Sequence, residues 1–264
     1  MTDRLLAALS PRLPRVALVT GAARRLGRAI ALTLAEAGFA VGIHYRASAA
    51  EAEATVADIR TRGGRAAAFA ADLAREAEVA RLVPAVTDAL GPIGVLVNSA
   101  SLFERDEWHD ATRATWDAHV EANLRAPFAL MQAFAARLPE QHEGVVINVL
   151  DQRVWSLTPH FVSYTVSKAG LWTLTQTMAL ALAPRIRVAA IGPGPALPSP
   201  RQTAEQFARQ SRSVPLGRGT GEAEIGLAVL AILAMPSFTG QMLALDGGQH
   251  LQWGPVPPSG ADIE

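Results

Sequence analysis

The stretch "RVALVTGAARRLGRAIAL" (15–32) decides how the rest of the chain reads. Its first residues, 15–21, form a continuous apolar run, as in a strand covered on both faces. The run enters a glycine turn, and a helical pattern follows over about 25–37. An α/β protein holds phosphate at such a junction, because turn amides and the helix N-terminus both point at the anion. Gly21 permits the tight turn and Gly27 permits close packing of helix on strand, with Arg24, Arg25 and Leu26 between them. A basic residue here can meet an extra phosphate on the adenosine ribose.

Working outward, apolar runs recur at 40–46, 65–72, 94–100, 144–151, 187–194 and 242–248. Helical patterns separate them at about 49–62, 75–90, 112–137, 161–183 and 221–234. This alternation predicts a doubly wound α/β sheet with right-handed crossovers. No Pro/Gly/Ser linker divides the chain, so one domain is expected over 14–253, with an N-terminal extension (1–13) and a tail (254–264) that is mobile or packed on a neighbouring subunit. The longest irregular stretch, 192–219, is expected to hold one short helix near 201–210 and to supply a substrate lid over about 195–218.

The second run ends in His44, Tyr45, Arg46, Ala47 and Ser48, with no carboxylate before Glu51. A carboxylate at this point binds ribose hydroxyls and repels a 2′-phosphate, whereas Arg and Ser can hold one. NADP(H) is therefore favoured over NAD(H). Asp72, with Leu73, closes the third run where a side chain can reach the adenine edge. "NSASLF" (98–103) closes the fourth, and the small residues around Asn98, Ala100 and Ser101 let backbone approach the cofactor.

Composition narrows the function classes. The 264 residues carry 24 basic and 24 acidic side chains, which gives no reason to expect nucleic acid or an anionic membrane as partner. Cysteine is absent, so thiolate catalysis, disulfides and Cys-ligated metals are excluded. The six histidines (44, 109, 119, 142, 160, 250) show no metal-ligand spacing, and each reads as a surface or pocket residue. The first apolar run, Leu5 to Leu9, is too short for a signal or a membrane span. A soluble cytoplasmic protein is expected.

Chemistry concentrates in "VVINVLDQRVWSLTPHFVSYTVSKAG" (145–170). Tyr164 and Lys168 stand four residues apart on one helix face, and Asp151 closes the strand before them. Hydride transfer to C=O or C=N requires a proton, and a Tyr of ordinary pKa near 10 is a poor shuttle at neutral pH. A nearby ammonium lowers that pKa, so Lys168 is expected to tune Tyr164 and bind the nicotinamide ribose. Asn123 is expected to anchor a water linking Lys168 to solvent. Its alternative is a polar residue at a helix kink. Asp151 either shares proton delivery with Tyr164, aided by partial protonation, or braces the loop as an N-cap.

The ordered set "TGAARRLG", Asp72-Leu73, "NSAS", Asn123, "YTVSK", "IGPGP" and "TGQMLALDGG" resembles the short-chain dehydrogenase/reductases over about 14–253. The resemblance implies a single Rossmann domain with a seven-stranded parallel sheet. It also implies a homotetramer built through the helices near 112–137 and 161–183, and it adds Pro193 and Gly194 to the cofactor site. Two departures, Arg25 for the middle glycine of TGxxxGxG and Asp151 for the usual serine, resemble the pteridine and dihydromonapterin reductase branch. That branch implies that Arg25 contacts cofactor phosphate and substrate, that His44 to Ser48 surround the 2′-phosphate, and that Ser101 and Phe103 border a pterin. Ala196 stands where the branch has a serine, and "QRVWSLTPHF" (152–161) matches no known pterin specificity. The first reading is an NADPH-dependent reductase of a dihydropterin or dihydrofolate. Its alternatives are a carbonyl reductase of the same fold and a non-catalytic nucleotide-binding module.

Overall fold

The computed structural model describes residues 2–199 and 201–252. Each apolar run becomes a strand: β1 (Val16–Val19), β2 (Ala40–Tyr45), β3 (Ala66–Ala70), β4 (Val95–Asn98), β5 (Gly144–Val149), β6 (Ile186–Pro193) and β7 (Met242–Leu245). They form one parallel sheet in the order β3-β2-β1-β4-β5-β6-β7. Chain direction across the sheet reverses between β1 and β4, which opens a crevice at their carboxyl ends.

The helices are α1 (Thr2–Ala7), α2 (Arg25–Glu36), α3 (Ala49–Thr61), α4 (Glu76–Leu90), α5 (Arg113–Val120), α6 (Ala126–Arg137), α7 (Val162–Leu182), α8 (Ala204–Ser213) and α9 (Glu222–Ala234). One face of the sheet is covered through Ile30, Leu34, Ile59 and Val229 of α2, α3 and α9. The other is covered through Val83, Leu130, Phe134 and Met178 of α4, α6 and α7. β1 and β5 are buried along their whole length, which explains their continuous apolar pattern. Each large aliphatic side chain so buried contributes roughly 1.5–3 kcal/mol.

Three details differ from the sequence expectation or refine it. The helix expected over 112–137 is interrupted by a π-helical turn, Glu121–Arg125, which holds Asn123. The short helix expected near 201–210 begins at Ala204, because Thr203 caps it in a capping box with Gln206. The N-terminal segment is packed into the domain, with Leu9 and Leu13 buried in the core. The expected tail, 254–264, lies outside the described residues.

Candidate active site

The carboxyl ends of the strands enclose a cleft of about 520 Å³. At its floor, β1 turns at Gly21, whose φ of +65° is a conformation few L side chains adopt. A Cβ there would lie 2.9 Å from Ala100 Cα, so Gly21 also permits the close approach of the turn to the β4 exit. A Cβ on Gly27 would lie 2.2 Å from the Gly21 carbonyl oxygen. Thr20 Oγ1 accepts from the amides of Ser99 and Ala100 at 3.0 Å each and ties the two strand ends together.

The nucleotide half of the predicted set comes together here. Arg24, Arg25, Leu26, His44, Tyr45, Arg46, Ser48, Asp72 and Leu73 all line the cleft. No acidic residue occupies the first turn of α2, so the helix N-terminus offers its amides to an anion without competition. Arg24, Arg46 and Ser48 at the β2 end, with no carboxylate of β2 beside them, suit a nucleotide carrying an extra ribose phosphate.

His44 takes a different part from the one expected of it. It is buried, its Nδ1 accepts from the Gly21 amide at 3.1 Å, and its Nε2 lies 3.0 Å from the Ala71 carbonyl. This pairing requires the proton on Nε2. Burial lowers its pKa, opposed by the Ala71 bond and the Asp72 charge. The ring therefore braces the phosphate turn from beneath as a neutral group.

At the other end, Ala100, Ser101, Phe103, Asp151, Tyr164, Lys168, Pro193 and Gly194 line the cleft, joined by Ala196 and Leu197 of the segment after β6. The Tyr164 hydroxyl donates to Asp151 Oδ2 at 2.8 Å, and Asp151 Oδ1 accepts from the Arg153 amide at 2.9 Å. Asp151 thus caps the short 3-10 turn Gln152–Val154, as one of the two expectations has it, and it also accepts from the phenol.

Two sequence expectations are corrected. Lys168 donates to the Val149 carbonyl at 2.8 Å, and burial pulls its pKa down to about 8, against the attraction of Asp151. Tyr164 is pushed well above its ordinary 10.0 by burial and then by the Asp151 charge, and the cation that pulls the other way is Arg153, not Lys168. The ammonium lies 5.9 Å from the phenol ring centroid and is held by the Val149 carbonyl. Asn123 is fully buried; its amide accepts from Leu102 N at 2.8 Å and donates to Leu102 O at 2.9 Å and Ser167 Oγ at 3.1 Å. It fastens the β4 exit to α7, from within the π-helical turn. Asn98 also stays out of the cleft lining, donating at 2.8 Å to Asn148, which donates at 2.9 Å to Thr175.

The segment 152–161 packs behind Phe103, which lines the cleft. Phe161 is fully buried and stacks on Phe103, with ring centroids 4.6 Å apart, and Phe103 meets Tyr164 edge-on at 4.6 Å. Arg153, also buried, lies 4.9 Å from the Phe161 centroid. Among the described residues, no three His, Cys, Asp or Glu side chains are grouped to hold a metal, and no helix is long and apolar enough to cross a membrane.

The sequence profile of the short chain dehydrogenases matches residues 15–208. The chain belongs to the short-chain dehydrogenase family. A FolM alternative dihydrofolate reductase 1 from Brucella canis, solved with NADP, is 47% identical with a TM-score of 0.90, covering 96% of this chain and all (100%) of that one. The corresponding Brucella suis protein, also with NADP, is 48% identical with a TM-score of 0.89, over 92% of this chain and 98% of that one. A 3-oxoacyl-[acyl-carrier-protein] reductase (FabG) of Staphylococcus epidermidis is 32% identical over 240 residues, 89% of this chain and 98% of that protein.

Within this dehydrogenase frame, Arg25 explains the glycine it replaces. Its φ is +54°, a left-handed conformation that a side chain makes costly. The guanidinium reaches across the cleft to donate to the carbonyls of Pro198 at 2.9 Å and Leu197 at 3.4 Å. Phe161, at φ +57°, is the other non-glycine residue with positive φ among those described. Arg25 lines the cleft, and Phe161 stacks behind Phe103, which lines it too; backbone strain is often stored at functional sites.

Proposed function

We propose that the chain is an NADP(H)-dependent reductase of a pterin-type C=N bond, acting on a dihydropterin or dihydrofolate. The observation that carries this reading is the Tyr164–Asp151 hydrogen bond at the cleft end where hydride would be delivered. The bound nicotinamide supplies hydride to the ring carbon, and a proton must reach the adjacent nitrogen. Tyr164 is held protonated, the form a donor needs. Asp151 shares that proton and accepts N–H groups of the ring, which a serine in its place could not do in ionised form. Lys168, held at the Val149 carbonyl of the β5 exit, would bind the nicotinamide ribose. Arg25, Ser101 and Phe103 border the substrate, and 195–218 serves as the lid, tied down by Arg25.

The likeness to the FolM proteins supports pterin reduction. A second reading, reduction of a ketone or aldehyde with the same cofactor, is favoured by the likeness to the Staphylococcus reductase and by Ala196 in place of a serine. Exposed Trp116, Val166 and Leu180 on α5 and α7 support assembly through these helices, read here as a homotetramer. The absence of cysteine supports a cytoplasmic setting. NADPH oxidation with dihydrobiopterin, dihydromonapterin, dihydrofolate and a panel of ketones separates the readings. Turnover of a pterin is expected; ketone turnover without any pterin turnover overturns the first reading.

A further inference from the structure

One buried cluster of titratable groups lies outside the proton-delivery pair. His119 of α5 is fully buried, as are Ser163, and Asp106 nearly so at 3% exposure. Both ring nitrogens are engaged. Nε2 accepts from the Glu104 amide at 3.1 Å, while Nδ1 lies 2.7 Å from Ser163 Oγ and 3.0 Å from the Thr115 carbonyl. An amide N–H only donates, so Nε2 must carry a lone pair and the ring proton sits on Nδ1. Nδ1–H then donates to Ser163 Oγ and shares its proton with the Thr115 carbonyl. The Ser163 hydroxyl in turn donates to Asp106 Oδ2, and the Ser163 amide donates to Asp106 Oδ1 at 3.1 Å.

This chain of bonds joins two parts of the site. Glu104 and Asp106 belong to the wall that carries Ser101 and Phe103, and Ser163 adjoins Tyr164. The N-cap of α7 is Phe161, which offers no side-chain acceptor. Asp106 fills that place from the wall, accepting from the first turn of the helix.

We propose that His119 is a positioning residue: its neutral Nδ1–H form locks the substrate wall to the helix bearing Tyr164, and protonation of the ring releases the wall. An imidazolium carries N–H on both nitrogens, so two donors would face each other at Glu104. The charges acting on the ring are Asp106 and Glu104, both from the wall, and no charged group of the π-helical turn is among them. From α7 it faces the phenol of Tyr164, with ring centroids 6.1 Å apart, and from its own helix the neutral Thr115 carbonyl. Burial opposes the imidazolium and prevails over the Thr115 carbonyl bond and the two carboxylates, holding the pKa below the ordinary 6.5. The lock is therefore closed at neutral pH and opens as pH falls below that value.

The assignment of the wall to substrate rests on the proposed function, so the first measurement needs no substrate. A proton–nitrogen long-range correlation spectrum of 15N-histidine protein, assigned with H119Q, is expected to show the Nδ1–H tautomer at pH 7.5. The second is steady-state kinetics on a dihydropterin from pH 5 to 8 at saturating NADPH. Wild-type KM is expected to rise about tenfold on the acid side, with kcat changing less. H119Q can still accept from Glu104 but does not titrate; it is expected to stay within about threefold of the wild-type KM at pH 7.5 and to lose the acid rise. H119F leaves the Glu104 amide without an acceptor and is expected to raise KM about tenfold at every pH, with NADPH affinity unchanged. An Nε2–H tautomer, or an H119Q profile with the wild-type acid rise, overturns the proposal. Should H119F fail to fold, the tautomer and H119Q still decide. If the chain reduces ketones and no pterin, the same comparison on a ketone tests the lock, so the two readings fail separately.

Discussion

Lys168 is the only lysine among 264 residues, which makes its proton directly observable. Burial lowers its pKa from 10.5 to about 8, and Asp151 acts in the opposite direction. At 1.36 kcal/mol per pH unit, that difference is about 3 kcal/mol against the charged form in the folded chain. Between pH 8 and 10.5 the unfolded state binds more protons at this site than the folded one, so stability rises with pH across the window. Below about 8 both states carry the proton and the full cost applies. From pH 8 to 10, about 2 kcal/mol of it is recovered. The raised Tyr164 pKa acts in the other direction only above pH 10, where an unfolded tyrosine ionises and the folded one does not. The window from 8 to 10 therefore reports the lysine. With 13Cε-lysine, the nucleotide-free protein should give one side-chain resonance that titrates with a midpoint near 8. D151N should move that midpoint lower still, since it removes the charge that favours the ammonium. Urea unfolding should show the rise between pH 8 and 10 in wild type and a flatter slope in Lys168→Met. A midpoint at or above 10 would refute the reasoning, because the ammonium would then be solvated rather than held at the Val149 carbonyl.

Three further outcomes follow from the site. Asp151→Ser should lower kcat on a dihydropterin by about 100-fold or more, within the range for a lost acid–base partner, while NADPH binding stays unchanged; full turnover would end the shared-proton reading. At position 25, R25G should unfold about 2–4 °C above R25A, because glycine accepts the left-handed backbone at about 1 kcal/mol less cost, and both variants should raise substrate KM by freeing the lid. R46E should weaken NADPH at least about tenfold and NADH less, measured by fluorescence titration; equal losses would show that Arg46 does not meet the extra phosphate.

Much of this site was legible because its residues sit at positions the fold makes special. Gly21, Asp72, Ser101, Asp151 and Gly194 follow strand ends, and strand ends can be read from apolar runs. The cleft lining matches those positions. What escaped the sequence depends on side chains meeting across elements distant in the chain. Asn98, Asn123 and His44 were placed correctly on their elements, yet each bonds inward, and nothing in a linear pattern says which way a polar group at a strand end or helix bulge will turn. The sense of the Tyr164 shift was also misjudged. The spacing of Tyr164 and Lys168 guarantees a shared face but not a contact, and the Val149 carbonyl, which competes for the ammonium, carries no residue signature.

His119 shows the same limit from the other side. A histidine inside an amphipathic helix reads as a surface or pocket residue, and its partners across the fold are the Glu104 amide, which donates to it, and the Ser163 hydroxyl, which passes the chain on to Asp106, positions with no common spacing. The need for such a lock was nevertheless implicit in the sequence. The helix carrying the proposed proton donor, Tyr164, in its first turn requires an acceptor for its leading amides, and the Phe161 side chain cannot supply one. Asp106 supplies one from elsewhere in the chain. Because it arrives on the wall that borders the substrate, the capping of α7 and the shape of the pocket become one structural requirement. Asp106→Ala is then expected to disturb Tyr164 and Phe103 together, and a variant that loosens only one of them would separate what the hydrogen bonds join.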